Sequence, residues 1–436
     1  MYLAAESLSY IPPAHVSSYD LQLSSSRIGC IRGARVFDKQ RISELLSHAR
    51  PGHTLPQPFY RDAEIYEFDV AAVFARAWLM LGFEAELPEP GCYLSLTIGP
   101  NPILLVRGRD NVVRGFHNIC RHRGAQICAE GSGKAARIVC PYHKWTYELD
   151  GRLVGAARMP AELDFQQHGL VPIRIELLEG CIYGALSNAA PDFAPFREAA
   201  TPFLRPYRLA SAKLAYQSVL VEKANWKLVM ENARECYHCA AWHPELKVAF
   251  PVVFSGGITV TDSARHEAYL ATLQQLGLPP GPAAGSWWHV GRYPLNPGVT
   301  TVSPDGKALV SQQLLQTGGA EIGGLRWATE PNSFCHVFAD YAFMFTVIPV
   351  GPEESRVVSK WLVARDAREG VDFHIPPLTQ VWSATNVQDR DLAENNQRGI
   401  NGIGYRPGPY AEGAEDLVIR FNDWYRAAAA HAVDYF

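Results

Sequence analysis

Two groups of residues in this chain have the types and spacing of metal sites. In the first, Cys120-Arg121-His122 and Cys140-Pro141-Tyr142-His143 each present one thiol and one imidazole, with seventeen residues between His122 and Cys140. Each loop follows a short run that reads as a strand, as the two fingers of a metal-binding hairpin pair would. A zinc finger brings its cysteines together first and its histidines later. The order here is Cys, His, Cys, His, which suits a 2Fe-2S cluster with both thiolates on one iron and both imidazoles on the other. A Cys2His2 zinc site, or four unrelated residues, is the competing reading. Imidazole ligation raises the reduction potential, so such a cluster can take electrons from a reductase and pass them on.

The second group lies in Asn225 to Pro244, which otherwise reads as a buried helix. His238 and His243 are five apart and would point about 140° from each other at roughly 100° per residue. Pro244 pushes the residue before it out of the helical region, so His243 can turn back toward His238. Two imidazoles and one carboxylate leave open positions on iron(II), as an oxygenase needs. The carboxylate must come from elsewhere, and the segment Thr385 to Arg398 offers Asp389 and Asp391. Glu235, three before His238, is its neighbour on a helix face. Asn225, Asn232 and Tyr237 are placed to orient ligands or line an electron path.

The elements that position these groups follow from length, composition and period. A chain of 436 residues exceeds the roughly 250 to 300 at which single cores stop growing, so two domains are expected. With 47% hydrophobic and 19% charged residues, a net charge of -4 and no basic run, it has the make-up of a globular protein without a nucleic-acid or membrane-surface footprint. No window reaches the roughly 18 apolar residues of a membrane span, and no signal peptide is read. Nine cysteines, an odd and scattered number, fit reduced thiols in a cytoplasmic protein. Residues 1–41 read as a mobile extension, 42–48 and 63–80 as helices. Short β runs from Gly91 (92–98, 102–107, 112–118, 137–139, 145–149) make a small all-β unit, and Cys128 reads as a buried thiol. Residues 189–206 read as a Pro-rich linker. Strands are expected at 214–222, 299–302, 308–315, 335–349 and 356–365, with helices over 377–398 and 415–430. The second half is therefore α+β, an antiparallel sheet with helices packed on it. The domains are 42–200 and 201–436.

At the two Cys/His loops the chain resembles the oxygenase component of a Rieske non-haem iron oxygenase, from about Ile42 to Tyr425. The likeness is closest to the glycine betaine, proline betaine (stachydrine) and carnitine type. It is carried by Leu55 to Tyr60, Met230 to Asn232, Arg234 to Cys239, His243 to Leu246, Gln388 to Arg390, Leu392 to Glu394, Gln397 to Asn401, and Tyr405 with Pro407 to Tyr410. The resemblance implies a helix-grip catalytic domain with Asp389 as third iron ligand and Glu235 bridging to His143 of the next protomer in a head-to-tail homotrimer. It also implies NAD(P)H electrons arriving through a separate flavin and iron–sulfur reductase, since the chain has no dinucleotide fingerprint. The implied reaction is O2-dependent hydroxylation of an N-methyl group, releasing formaldehyde. Rival readings are an aromatic-ring dioxygenase and a catalytically silent electron-transfer protein. A quaternary amine has no N–H, so aromatic faces should hold it, the candidates being Trp287, Trp288, Trp327, Phe334, Tyr341, Phe343 and Phe345. Three departures from the betaine type, Phe334 for Trp, Trp242 for a small polar residue and Lys144 for Gln, imply a changed pocket, a bulkier or cyclic N-methylated amine, and a raised cluster potential.

Overall fold

The short alternating runs after Gly91 pair into an antiparallel sheet in a computed structural model that describes residues 37–253, 257–258 and 263–435. The first ten strands are β1 (Leu79–Phe83), β2 (Cys92–Ile98), β3 (Asn101–Arg107), β4 (Val113–His117), β5 (Gly131–Lys134), β6 (Ile138–Val139), β7 (Thr146–Tyr147), β8 (Leu153–Gly155), β9 (Pro172–Leu178) and β10 (Cys181–Ala185). Seven of them form one sheet in the order β1-β10-β9-β4-β3-β2-β5, and β6, β7 and β8 form a small second one. Cys120, Cys140, Trp145 and Tyr147 share a separate small core with Leu104 and Phe116.

The second half holds β11 (Ala212–Glu222), the hairpin β12 (Val252–Val253) with β13 (Gly257–Ile258), β14 (Ala283–Ala284), β15 (Trp288–Tyr293), β16 (Gly324–Thr329), β17 (Ser333–Val337), β18 (Tyr341–Gly351) and β19 (Glu354–Ala364). Its seven-stranded sheet runs β11-β19-β18-β17-β16-β15-β14, antiparallel throughout. The helices are α1 (Lys39–His48), α2 (Pro58–Arg61), α3 (Ala63–Phe68), α4 (Ala194–Leu204), α5 (Trp226–Asn232), α6 (Cys239–Trp242), α7 (Ser263–Gln275), α8 (Ile375–Ile400) and α9 (Asp416–Tyr435). Helix α8 grips one face of the second sheet. Its Trp382 stacks on Phe343 (4.4 Å, 7°) and donates from Nε1 to the Tyr341 hydroxyl (2.8 Å), and Asn386 Nδ2 donates to Ser359 Oγ (2.9 Å). The fold is thus the expected α+β combination. Among the described residues no helix is long and apolar enough to cross a membrane.

Several elements differ from the sequence expectation. The extension expected at 1–41 lies outside the described residues up to 36, and α1 already begins at Lys39 with Asp38 Oδ1 capping Arg41 N–H (2.9 Å). The helix expected over 63–80 stops at Phe68. A π turn (Asp69–Val73) and a 3-10 turn (Phe74–Arg76) follow, and Leu79 and Met80 belong to β1, a fully buried strand of which four residues pair with β10. Long-range pairing has overridden a local apolar period. The expected linker is helix α4, which spans the boundary drawn at 200. Pro195 sits in its first turn, where a missing N–H costs nothing. Phe196 packs on Tyr183 of the first sheet (5.6 Å) and on Trp287 (5.2 Å) and Trp288 (5.3 Å) of the second half. Residues 299–302 and 308–315 are irregular rather than stranded. The N–H groups of Leu309 and Val310 donate to Asp340 Oδ2 (2.8 and 3.3 Å), so a side chain takes the place of a ladder partner. The run at 335–349 is broken by a tight turn into β17 and β18, and α7, β15 and β16 had no counterpart in the sequence reading.

Helix α5 is buried, and its ionisable residues are partnered. The Lys227 ammonium pairs with Asp69, presented by the π turn, and Asp69 also accepts from Trp226 Nε1 (3.0 Å) and the Tyr425 hydroxyl (2.7 Å). Glu231 accepts from the Tyr60 hydroxyl (2.8 Å) and Asn422 Nδ2 (3.2 Å). Burial pushes the Glu231 carboxyl from 4.5 up to about 7 against those hydrogen bonds. A carboxyl with a raised folded pKa contributes stability below its unfolded pKa and loses it as pH rises toward the folded value. Between pH 4.5 and about 7 the protein should therefore lose up to about 3 kcal/mol that a Glu231→Gln variant keeps, at about 1.4 kcal/mol per unit. Denaturant melts of both proteins at either end of that window check this; parallel losses would refute it.

Candidate functional site

The two Cys/His loops are built alike. In the first, Cys120 N–H donates to Ala125 O (2.8 Å) and Gly124 N–H to Cys120 O (3.0 Å), with Gly124 at φ 76°. In the second, Cys140 N–H donates to Trp145 O (2.8 Å) and Lys144 N–H to Cys140 O (3.1 Å), with Lys144 at φ 61°. Each turn closes on a left-handed residue, which is easy for glycine and uncommon for lysine. The loops bring the buried thiols of Cys120 and Cys140 within hydrogen-bond reach, and the rings of His122 and His143 to 4.8 Å. Trp145 stacks on His122 at 5.0 Å, and the Tyr147 hydroxyl lies 3.3 Å from Cys120 Sγ. Burial pushes the Cys120 thiol up, while Tyr147 and the His122 N–H pull it down. His122 Nδ1 is buried with no hydrogen-bond partner, as a nitrogen reserved for a metal would be. His143 is exposed, and Cys128 is a half-buried free thiol rather than a fully buried one.

At the second site the structure brings together His238, His243 and Asp389. His238 Nε2, His243 Nε2 and Asp389 Oδ1 form a triangle with sides of 2.9, 3.1 and 3.1 Å. Ligand bonds of roughly 2.1 Å at right angles put donor atoms about 3.0 Å apart, so three adjacent corners of an octahedron fit. The outer nitrogens fix the tautomers. His238 Nδ1 donates to Glu235. His243 Nδ1 donates to Gln388 Oε1 (2.7 Å), whose amide nitrogen in turn donates to Glu245 Oε2 (3.0 Å). Both Nε2 lone pairs therefore face a carboxylate oxygen, and three acceptors at this distance require a cation or a proton among them. A proton on His238 also meets that requirement. Burial pulls its pKa down, but the bonds to Asp389 and Glu235 outweigh this and raise it to about 10. Burial likewise opposes the ionisation of Asp389, and its two imidazole partners hold it below the ordinary value.

Helix α8 delivers Asp389 on the same face as Trp382, Thr385 and Asn386, an i, i+3, i+4, i+7 stripe along the pocket. Asp391 instead pairs with Arg390 at the surface. The other matched residues of this helix fasten it: Glu394 accepts from Lys223 N–H (3.0 Å), and Gln397 from Asn225 N–H (2.9 Å). The segment 225–243 is not one helix. Helix α5 ends at Asn232 and α6 spans only Cys239–Trp242, so the 140° estimate never applies. His243 leaves the helical region (φ -113°, ψ 74°), as Pro244 requires.

Several assigned roles change. Asn225 caps α5, accepting from Lys227 N–H (3.0 Å), and is not beside the ligands. Asn232 lines the pocket, while Tyr237 is exposed and gives its backbone N–H to Glu235. Within one chain, Glu235 orients His238, and its expected bridge is to His143 of another protomer. Trp242 turns to solvent, 48% exposed, and reshapes no pocket wall. Cys236 and Cys239 are disulfide-bonded, against the expectation of reduced thiols throughout; a three-residue separation at the break between α5 and α6 brings their Cα atoms to 4.9 Å. Cys239 Sγ lies within 4.8 Å of both imidazoles but is committed to that bond, leaving Asp389 as the third donor.

Strand parity sorts the aromatic candidates. Arg326, His336 and Phe343 stand opposite one another across β16, β17 and β18, as do Phe334 and Phe345, and all five line the pocket. Their neighbours Trp327, Cys335 and Met344 face the opposite core, with Trp287 and Trp288. Tyr341 is buried, its hydroxyl donating to Val302 O (2.7 Å). Three of the seven proposed aromatics thus reach the site. Phe250, Trp382, Gln388 and Arg326 belong there without having been assigned to it.

A β domain with paired Cys/His loops, and a helix-gripped sheet beside two histidines flanking α6 and an aspartate on α8, define a terminal oxygenase α subunit. Residues 77–170 match the Rieske [2Fe-2S] domain family and residues 209–431 the ring hydroxylating alpha subunit (catalytic domain) family, and the chain belongs to this oxygenase family. It is 39% identical over 429 residues to the glycine betaine monooxygenase oxygenase subunit of Chromohalobacter salexigens, covering 96% of this chain and 94% of that one. It is 40% identical over 396 residues to the protein of the same name from Pseudomonas aeruginosa strain UCBPP-PA14, covering 89% and 91%. The crystal structure of the quaternary ammonium Rieske monooxygenase CntA with L-carnitine superposes with a TM-score of 0.67 over 88% of this chain and 98% of that one, at 22% identity, a likeness of fold.

Proposed function

We propose that this protein is the terminal oxygenase of a two-component Rieske monooxygenase that hydroxylates an N-methyl group of a betaine-like quaternary or tertiary amine. The carrying observation is the aromatic pocket directly over the His238, His243 and Asp389 triangle, which suits a cation without N–H donors. The near full-length likeness to glycine betaine oxygenase subunits supports it. Cys120 and Cys140 would hold one iron of the cluster and His122 and His143 the other, and the triangle would hold the mononuclear iron(II). When bound, that iron supplies dioxygen activation, with electrons from NAD(P)H entering through a separate reductase and the cluster. The residues around it keep the imidazoles in one tautomer through Glu235 and Gln388, and the aromatic walls hold an N-methyl carbon toward the triangle. One O2 and two electrons with two protons give a carbinolamine and water; C–N cleavage then yields formaldehyde and the demethylated amine.

The test is formaldehyde release matched to oxygen uptake by the iron-loaded protein with a surrogate reductase across a panel of betaines. A cis-diol from an aromatic substrate, with no formaldehyde from any amine, would overturn it. Gln388→Leu removes the acceptor that orients His243, and should weaken iron binding by about 10- to 100-fold while sparing the cluster spectrum. Iron titration by dialysis measures this.

A homotrimer completes the proposal. Tyr142 beside the cluster loops, and Tyr237 and Trp242 beside the triangle, are large side chains exposed at 57%, 48% and 48%, which a subunit interface would cover. Exposed His143 is then available to Glu235 of a neighbouring subunit. A fully active monomer in sedimentation would exclude that assembly.

A further inference from the structure

We propose that Arg326 anchors the carboxylate of a zwitterionic substrate, so that the pocket selects N-methylated amino acids over simple quaternary ammonium ions. The inference rests on the N-demethylating reading above and assigns the other end of the substrate. Arg326 stands on β16 opposite His336 and, with it, lines the same pocket as the triangle and the aromatic walls. Its arginine neighbours are occupied. Arg234 makes a two-pronged pair with Glu330 (3.1 and 2.6 Å) and donates to Ser333 O (3.0 Å). Arg292 donates to the Tyr207 hydroxyl (2.6 Å) and Phe203 O (3.1 Å), and Arg420 to Trp288 O (2.8 Å). Among the described residues the Arg326 guanidinium has no carboxylate within 4.0 Å and makes no hydrogen bond. The groups around it offer no negative charge. His336 and His289 are kept neutral, by burial first and by the guanidinium second, and the buried Tyr293 hydroxyl holds its proton while it meets His336 Nδ1 at 2.6 Å.

A guanidinium cannot shed its proton to escape an apolar pocket, and an unpaired charge there is costly unless something completes it. Its planar fork matches a carboxylate with two parallel hydrogen bonds. In the same pocket, Phe334 and Phe345 from the sheet and the stacked pair of Phe343 with Trp382 of α8 supply aromatic walls for a cation. A bare quaternary ammonium ion would sit beside an uncompensated guanidinium and be repelled. A betaine places its own carboxylate between the two positive charges, so one residue both attracts the zwitterion and rejects the simple cation. Held at both ends, the substrate presents its N-methyl groups to the triangle in a fixed order.

The test compares glycine betaine with choline, which keeps the trimethylammonium group and replaces the carboxylate by a hydroxymethyl. Formaldehyde kinetics are run on the reconstituted enzyme and calorimetric binding on the same protein. Wild type should prefer glycine betaine at least about 100-fold. In Arg326→Gln the KM and Kd for glycine betaine should rise at least about 30-fold, as loss of a charge-assisted pair implies, and the preference should collapse to a few-fold. Arg326→Lys, charged but without the fork, should fall between. An Arg326→Gln protein with an intact cluster spectrum and wild-type KM and preference overturns the proposal. If that variant does not fold, wild type decides: choline bound as tightly as glycine betaine overturns it. Were no amine to release formaldehyde, the demethylation reading would fail, while glycine betaine binding that is lost in Arg326→Gln would still establish the anchor.

Discussion

Replacing Asp389 with alanine should reduce formaldehyde formation at least about a thousandfold, since a metal's charge stabilisation is worth several kcal/mol and each 1.4 kcal/mol is tenfold. The visible spectrum of the cluster should be unchanged, because its two thiols sit in a separate small core with Trp145 and Tyr147. Iron analysis should fall to the two atoms of the cluster per chain. The reason is local. Asp389 Oδ1 is the atom that both Nε2 nitrogens face at 3.1 Å, and Asp391, the nearest carboxylate along the helix, is turned outward and paired with Arg390. Asp389→Glu tests geometry against charge: a longer arm on a fixed helix overshoots the triangle, so it should bind iron yet turn over poorly. Full activity in the alanine variant, with unchanged iron content, would remove Asp389 from the site.

The largest effect on stability is expected at Lys227. Its ammonium and the Asp69 carboxylate are fully buried together, and Lys227→Met leaves Asp69 charged with only Trp226 and Tyr425 to donate to it. Breaking one side of a buried pair costs about 3–5 kcal/mol, whereas removing both charges is often nearly neutral. Denaturant unfolding of Lys227→Met, Asp69→Asn and the double variant should therefore show two large losses that do not add. Additive losses would mean that the two residues act independently. Burial lowers the lysine pKa while Asp69 supports it, so the pair is held by its partner and not by solvent.

Much of the candidate site is legible in the sequence because its residues come in short runs. The Cys120/His122 and Cys140/His143 loops needed only two strands to aim them. His238 and His243 are marked by type and by Pro244, and Asp389 by family likeness, although the segment holding the histidines is two short helices and not one. What stayed hidden depends on which side of a strand a residue faces. Arg326 lies in Gly324–Thr329, a run too mixed to announce a strand, and its side is fixed only by register with β15 and β17. The same parity places Phe343 over the triangle and buries Trp327 behind it. Gln388 is part of a matched run in sequence, and only the fold places it against His243 Nδ1. Helix α4 and strand β1 were misread because proline content and apolar period are local signals, while the contacts of Phe196 and the pairing with β10 are not.

The fastening of α8 has a consequence for how tightly the site is tuned. Gln397 is eight residues beyond Asp389, about 12 Å along the helix at 1.5 Å per residue, and is bound to the first residue before α5. The helix therefore acts as a lever whose pivot lies far from the chemistry and whose working end is one carboxylate oxygen. A small rotation at the pivot would open the triangle without touching a ligand. The reach of one oxygen toward two imidazoles is set at the joint between α5 and α8.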